Sequence, residues 1–261
     1  MFQIPDYPTV FWLAATAAVL LAGISKGGFG SGIGVASTPL IALTISAAEA
    51  AALLLPLLLV ADGFAMRHYY WRYDKTSLVH LLIGAMAGIC LGWFFFGYFS
   101  SSERILKLGI GILALAFVLF QLFRALLIGS AAQRAPRLGQ GIFWGTVSGF
   151  TSTLAHVGGP PVLMHLLPQK LPRDIFVGTT VIFFTVVNLV KLIPYTHLGL
   201  LRLENLTVVL LLAPLAYIGV KIGVMLNRRF TDLWFNRVIY FVLTLTALQL
   251  IAGRNIMQMI F

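Results

Sequence analysis

The chain is built of long apolar runs separated by short polar and charged segments. Six of these runs have the length of one membrane-spanning helix, which needs about 20 mostly apolar residues. They lie at 48–66, 78–98, 104–125, 174–193, 205–226 and 234–252. Because a helix satisfies all its backbone polar groups internally where there is no water, the pattern predicts an all-α polytopic membrane protein.

Two further apolar stretches, 9–45 and 140–168, are too long for one span, and each is interrupted near its middle. The first interruption, 23–32, reads GISKGGFGSG, and the second, 151–161, reads TSTLAHVGGPP. Each stretch therefore predicts a broken helix pair with arms of about 13 to 16 residues, or about 20 to 24 Å. The pairs could be re-entrant hairpins or short spanning helices, so the chain would have 8 to 10 helices in total.

The order of a broken pair and three helices occurs twice along the chain. This order predicts two membrane repeats, 1–128 and 140–261, joined by a polar linker at 129–139. A few matched positions agree with it, namely Pro39 with Pro160, Asp62 with Asn188, and Ser102-Glu103 with Thr231-Asp232.

The basic residues predict how these repeats are oriented. If each broken pair returns to the side where it began, eleven Lys and Arg residues lie inside and five outside; if each stretch crosses once, the count is nine to seven. Lysine and arginine are enriched in cytoplasmic loops. We therefore predict two inverted repeats, with both termini outside and the linker 129–139 in the cytoplasm.

The composition excludes a soluble domain. Hydrophobic residues make up 59% of the 261 residues and charged residues 10%, and the mean hydropathy is +0.95. A soluble domain carries roughly 25% charged residues. The net charge of +10 arises mainly between apolar runs, which favours lipid headgroups over nucleic acid as partners. The single cysteine, Cys90, excludes an intrachain disulfide and a cysteine-based zinc site, and we expect no metal and no cofactor.

The two interruptions are the candidate functional sites. Backbone that leaves the helix at membrane depth is tolerated only where protein or a water-filled cavity can satisfy it. In corresponding positions of inverted repeats, such breaks indicate a substrate site near the midplane. Glycine leaves backbone N–H groups accessible to a ligand, and the interruptions also contain a lysine and several hydroxyl groups. This combination favours an anion as the substrate. The predicted substrate contacts are Ser25, Lys26, Gly27, Gly28, Gly30, Ser31, Thr38, Thr153, His156, Gly158, Gly159, Asn188 and Lys191.

Several of these residues also have structural interpretations. The glycines could serve only close helix packing. Lys26 could bind the anion or pair with a carboxylate, and Lys191 could belong to the site or anchor its helix at the interface. Asp62 could carry a proton, act as the counter-ion of Lys26, or form an interfacial salt bridge. His156 could couple transport to protons, bind an oxyanion, or bond to backbone.

Several strings in both repeats resemble the TauE/SafE family of sulfite and organosulfur exporters. They are GISKGGFG at 23–30, TPL at 38–40, HVGGPP at 156–161, FVGTT at 176–180 and NLVK at 188–191. The resemblance implies a permease of the bacterial inner membrane, not an enzyme. It would export small anions such as sulfite or sulfonates, coupled to protons or ions.

We expect such a permease to work by alternating access, with one half rocking against the other. A passive anion channel, or an integral-membrane enzyme that uses His156 or Asp62 as acid or base, is the alternative. The chain could also form a homo-oligomer, a question that the sequence leaves open.

Overall fold

The computed structural model of the chain describes residues 6–29, 33–99, 102–128, 135–202, 205–227 and 233–253. These residues form ten α-helices, and no strand occurs among them. The helices are α1 Thr9–Ile24, α2 Ser37–Ala42, α3 Ala47–Tyr69, α4 Lys75–Phe99, α5 Glu103–Ile128, α6 Leu138–Ala155, α7 Gly159–Leu166, α8 Arg173–His197, α9 Leu206–Asn227 and α10 Leu233–Ala252. The predicted all-α fold is confirmed.

Within the part of the chain that the structure describes, six helical segments are long and apolar enough to cross a membrane. They are Thr9–Phe29, Ala47–Tyr69, Lys75–Tyr98, Glu103–Phe123, Arg173–His197 and Leu206–Asn227. Many large apolar side chains on these helices face outward, among them Leu13, Phe94, Ile193 and Leu210. Such an apolar surface suits lipid rather than water, so the protein is a multi-pass membrane protein.

The first interruption differs from its prediction. The chain does not leave the helix at Gly23, because α1 continues through the π-helical segment Ser25–Phe29 to form a helix of 21 residues. A short 3-10 segment, Ile33–Ala36, then leads into α2, which has only six residues. The predicted arms of similar length are therefore wrong: the first arm is long and the second is short. The physical reason is that Gly23 packs tightly against α9, which keeps this part of the chain helical.

The second interruption lies within its predicted range and is only three residues long. Helix α6 ends at Ala155, and His156 adopts the left-handed conformation with φ 55°. Helix α7 begins at Gly159, with prolines in its first turn, and contains eight residues. Proline is favoured there because the first-turn N–H groups have no helical partner to lose. The second arm is again shorter than predicted.

Glycines bring two helix pairs into close contact. Helix α4 packs along α6, and α1 packs along α9. A Cβ atom on Gly88 of α4 would overlap the carbonyl oxygen of Thr146, and one on Gly219 of α9 would overlap that of Leu20. Glycine permits this backbone approach because it has no side chain. Each tight pair joins a helix of the predicted first repeat to one of the predicted second, and the two pairs would be equivalent in such repeats.

Helices α3 and α8 lie against each other and run antiparallel. Ala51 near the start of α3 clusters with Tyr195 near the end of α8. Farther along, Asp62 accepts a hydrogen bond from Asn188. Equivalent helices of inverted repeats must run antiparallel where they meet, so this contact agrees with the inverted arrangement. The inversion itself, the membrane orientation and the repeat boundaries stay predictions.

Candidate functional site

A cavity lies where the two interruptions approach α3 and α8. It encloses about 420 Å³ of space between protein atoms, its mouth included. Residues from both interruptions line it, together with apolar residues from α1, α3 and α8. The lining residues are Ala22, Ser25, Lys26, Gly34, Val35, Leu58, Ser152, His156, Gly159, Phe184 and Asn188. Five predicted substrate contacts therefore share one cavity: Ser25, Lys26, His156, Gly159 and Asn188.

Lys26 lies on the π-helical turn and has only 8% of its surface exposed. Its ammonium group donates a hydrogen bond to the carboxylate of Asp62 and forms a buried ion pair with it. The Lys26 Nζ also lies 5.9 Å from the centroid of the Phe184 ring, close enough for a cation–π attraction. Lys26 thus lines the cavity and has a carboxylate partner as well.

Asp62 is fully buried and lies behind Lys26, outside the cavity lining. Its second oxygen accepts a hydrogen bond of 2.7 Å from Asn188 Nδ2. The carboxylate is therefore the counter-ion of Lys26 that the sequence allowed. Complete burial contradicts the alternative of an interfacial salt bridge.

Lys191 is also fully buried, which contradicts its interpretation as an interfacial anchor. Its Nζ donates to both the carbonyl oxygen and the Oγ of Ser152, each at 3.0 Å, and lies 2.7 Å from His156 Nδ1. These three partners match the three N–H bonds of an ammonium group. Lys191 does not line the cavity itself, but it directly contacts two residues that do.

His156 is held on both sides of its ring. Its Nε2 lies 2.9 Å from the carbonyl oxygen of Ala51, which can only accept, so Nε2 carries the proton. With Lys191 as an ammonium group, Nδ1 is then the acceptor and the ring is neutral. A second proton on this ring would place two positive charges in contact. The position of His156 therefore suits a hydrogen-bonding role better than that of an independent proton carrier.

The basic side chains of this cluster outnumber the acidic ones. Lys26 and Lys191 are two buried lysines, whereas Asp62 is the one buried acidic residue among the residues that the structure describes. With both lysines protonated, the surroundings of the cavity carry a net positive charge where water is largely excluded. Because an uncompensated buried charge is unfavourable, such a site attracts an anion. In the described ranges, no three His, Cys, Asp or Glu side chains are placed to hold a metal ion.

Two tyrosines bind the ends of the two long arms, which are α1 with its π-helical segment and α6. The sequence analysis did not find these tyrosines. Tyr69 Oη donates to the carbonyl oxygen of Gly27, and Tyr195 Oη donates to that of Thr153, both at 2.8 Å. Tyr69 stands as far after Asp62 as Tyr195 stands after Asn188. This equal spacing was the available signal. The two tyrosines thus make matching hydrogen bonds on the two sides of the cavity, at corresponding positions of the predicted repeats.

The remaining predicted contacts among the described residues do not line the cavity. Gly27 and Gly28 pack against α9, where added Cβ atoms would overlap backbone carbonyl groups. The hydroxyl of Thr153 donates to Gly149, and the carbonyl of Gly158 accepts from Ser148. Thr38 is fully buried in α2, whereas Gly30 and Ser31 lie outside the described residues. The substrate-binding role of all these residues stays a prediction.

The sequence analysis also missed the apolar walls of the cavity. Leu58 of α3, Phe184 of α8 and Val35 of the 3-10 segment line it. In the sequence, such residues look like ordinary parts of apolar helices, so no local signal separates them from lipid-facing residues. They give the cavity a low-polarity surface around its few charged and hydrogen-bonding groups, which strengthens electrostatic attraction inside it.

A comparison with known protein families identifies the family of this chain. A family model described as "Sulfite exporter TauE/SafE" matches residues 15–250. The chain belongs to the TauE/SafE family. Membership implies a membrane transporter that exports sulfite or related anions, and this agrees with a positively charged cavity between apolar helices. No curated protein and no solved structure gives a significant match to the chain.

Proposed function

We propose that this TauE/SafE protein is a secondary transporter of small oxyanions in the bacterial inner membrane, with sulfite, sulfonates or other organosulfur anions as its cargo. The observation that carries the proposal is that two buried lysines accompany one buried aspartate in and beside the cavity lining. With both lysines protonated, a neutral cargo would leave a positive charge uncompensated, and a cation would be repelled by it.

The lining residues supply the contacts that an oxyanion needs. The Lys26 ammonium group offers charge, and the Asn188 amide and the Ser152 hydroxyl offer hydrogen-bond donors. Helix α7 adds less than an ordinary helix start, because Pro160 and Pro161 in its first turn have no N–H group. Side chains, rather than a helix end, therefore dominate this recognition.

Alternating access requires two bodies that move against each other around the site. The close glycine contacts bind α1 to α9 and α4 to α6, so separating either pair would disrupt tightly packed backbone. We therefore assign α1 with α9 to one body and α4 with α6 to the other. Each body contains helices from both repeats, which refines the expectation that one half rocks against the other. Coupling of this motion to protons or another ion completes the proposed cycle.

Transport by the purified protein in proteoliposomes tests this function. We expect saturable uptake of radiolabelled sulfite, accelerated by unlabelled sulfite on the opposite side, because a carrier exchanges its cargo faster than it returns empty. Lys26→Ala should abolish uptake. Lys221→Ala is the matched control, since Lys221 is an exposed lysine on α9.

Two results would contradict the proposal. Uptake that rises linearly with sulfite concentration and shows no exchange would identify a passive channel. Absence of flux for sulfite, thiosulfate and methanesulfonate alike, in protein with a normal thermal transition, would refute oxyanion transport.

A further inference from the structure

The cation that faces the cavity already has an anionic partner inside the protein. Lys26 lines the cavity on one side and forms an ion pair with Asp62 on the other. A transported anion and the Asp62 carboxylate thus compete for the same ammonium group. Because Asp62 lies outside the cavity lining, the anion can approach Lys26 without contacting the carboxylate.

We propose that a bound dianion such as sulfite or thiosulfate draws the Lys26 ammonium group away from Asp62, and that Asp62 then takes up a proton from the solvent, so that the two ammonium groups balance the two charges of the dianion. In this exchange the Lys26–Asp62 ion pair breaks, a Lys26–anion pair forms, and the carboxylate becomes a neutral carboxylic acid. When the anion leaves, Lys26 returns to Asp62 and the proton is released. This inference rests on the proposed function and names Asp62 as the residue that couples anion binding to protons.

The environment of Asp62 explains why a proton must replace the lysine. The side chain is fully buried, and a carboxylate without a cation is strongly disfavoured in such surroundings. The Asn188 amide donates one hydrogen bond to it, but carries no charge. A proton restores electrical neutrality at Asp62 without any further movement of the helices.

The neighbouring charged groups offer no substitute for Lys26. Helix α8 contributes Lys191, which is held by Ser152 and His156. Helix α9 carries Lys221, which is exposed, and the Arg67 guanidinium on α3 itself stacks over Phe64. Among the described residues, Lys26 is thus the cation that pairs directly with Asp62.

His156 is a weaker candidate for the same role, although it lines the cavity. One ring nitrogen donates to the Ala51 carbonyl, and the other faces the Lys191 ammonium group. Anion binding at Lys26 breaks neither contact. It does remove the cation from Asp62, so the carboxylate is the group whose charge balance changes.

Proton uptake can be counted by titration calorimetry of the purified full chain in buffers with different protonation enthalpies. Thiosulfate, a dianion, and methanesulfonate, a monoanion, are suitable probes, because neither takes up a proton near neutral pH. We expect about one proton per bound thiosulfate, and an affinity for thiosulfate that falls about tenfold for each unit by which the pH rises while Asp62 is ionised before binding. Methanesulfonate already balances the net charge of the cluster and should bind without proton uptake. A group on the anion cannot account for this proton, so it must bind to the protein.

Variants assign the proton to one residue. Asp62→Asn should still bind the anions, with no proton uptake and no pH dependence, since Lys26 then has no internal competitor. Asp62→Glu should restore the uptake. Asp174→Asn should behave like the unaltered protein, because Asp174 is a half-exposed aspartate that pairs with Arg72 away from the cavity.

Each outcome separates this inference from the proposed function. If the unaltered protein binds thiosulfate without proton uptake, or if folded Asp62→Asn still takes up a proton, coupling through Asp62 is refuted while anion transport stands. If neither thiosulfate nor methanesulfonate binds at any pH, the proposed function fails together with this inference. Should Asp62→Asn not fold, the proton count of the unaltered protein and of Asp62→Glu decides the question.

Discussion

Replacing Lys191 by methionine should weaken anion binding strongly, although Lys191 does not line the cavity. Methionine keeps an unbranched side chain of similar length and removes the charge. The cluster would then contain one ammonium group, Lys26, and one carboxylate, Asp62. The net positive charge that favours an anion would be lost.

The magnitude follows from the position of Lys191 behind Ser152. The lysine Nζ lies 3.0 Å from Ser152 Oγ, and an anion bound to that hydroxyl would lie about 6 Å from the ammonium group if both contacts have ordinary hydrogen-bond lengths. With an effective dielectric constant of about 20, two unit charges at this distance attract by about 3 kcal/mol. Loss of that attraction raises the dissociation constant about 100-fold.

Titration calorimetry with methanesulfonate measures this change directly. Lys221→Met is the control, because it removes an exposed lysine from α9 and should leave the dissociation constant unchanged. Thermal unfolding of both variants in detergent verifies that they are folded. A Lys191→Met protein that is folded and binds the anion as tightly as the unaltered protein would refute the argument that this buried charge attracts the cargo.

Three further predictions concern packing and orientation. Gly88→Leu should lower the free energy of unfolding by about 3 kcal/mol, since overpacking separates α4 from α6. Gly63→Ala should instead raise the free energy of unfolding by up to about 1 kcal/mol, because Gly63 has open space at its Cβ position. Equal thermal transitions of the two variants would contradict the packing argument. Tyr195→Phe should cost about 1 kcal/mol of unfolding free energy through its lost hydrogen bond to Thr153 in α6, and an unchanged thermal transition would show that this bond does not stabilise the end of α6. In a Cys90→Ala background, a Ser130→Cys label should react only from the cytoplasmic side, and reaction from outside would reverse the predicted orientation.

The sequence predicted the helices well because the membrane restricts what an apolar run can become. A run of about 20 apolar residues has few alternatives to a helix in lipid. The helical parts of the two interruptions were harder to predict, because glycine has two opposite uses. Next to Lys26 it looks like a flexible break, yet Gly27 serves close contact with α9 and remains helical. The same glycine-rich sequence is compatible with a flexible break and with close helix packing, and only the neighbouring helix in the structure distinguishes the two.

The depth of charged residues was a second limit of the sequence analysis. Lys191 stands just before Pro194, so the sequence allowed a helix end and an interfacial position. In the structure α8 continues through Pro194 to His197, and Lys191 is fully buried. Proline within a helix removes one backbone donor but does not always end a membrane helix, because neighbouring groups can satisfy the freed carbonyl. The location of the charge therefore depended on packing that no local pattern encodes.

The predicted repeats would account for the two sides of the cavity, and the difference between them at one position would account for its charge. Tyr69 and Tyr195 correspond in these predicted repeats, and so do Asp62 and Asn188 at the contact of α3 with α8. If both central positions carried carboxylates, two lysines would face two aspartates and the cluster would be neutral. The amide at Asn188 instead keeps a hydrogen bond to Asp62 while leaving one ammonium charge unbalanced. If the two halves are repeats, their common plan would place one interruption on each side of the cavity, and the amide at Asn188 in place of a second carboxylate would favour the binding of anions there.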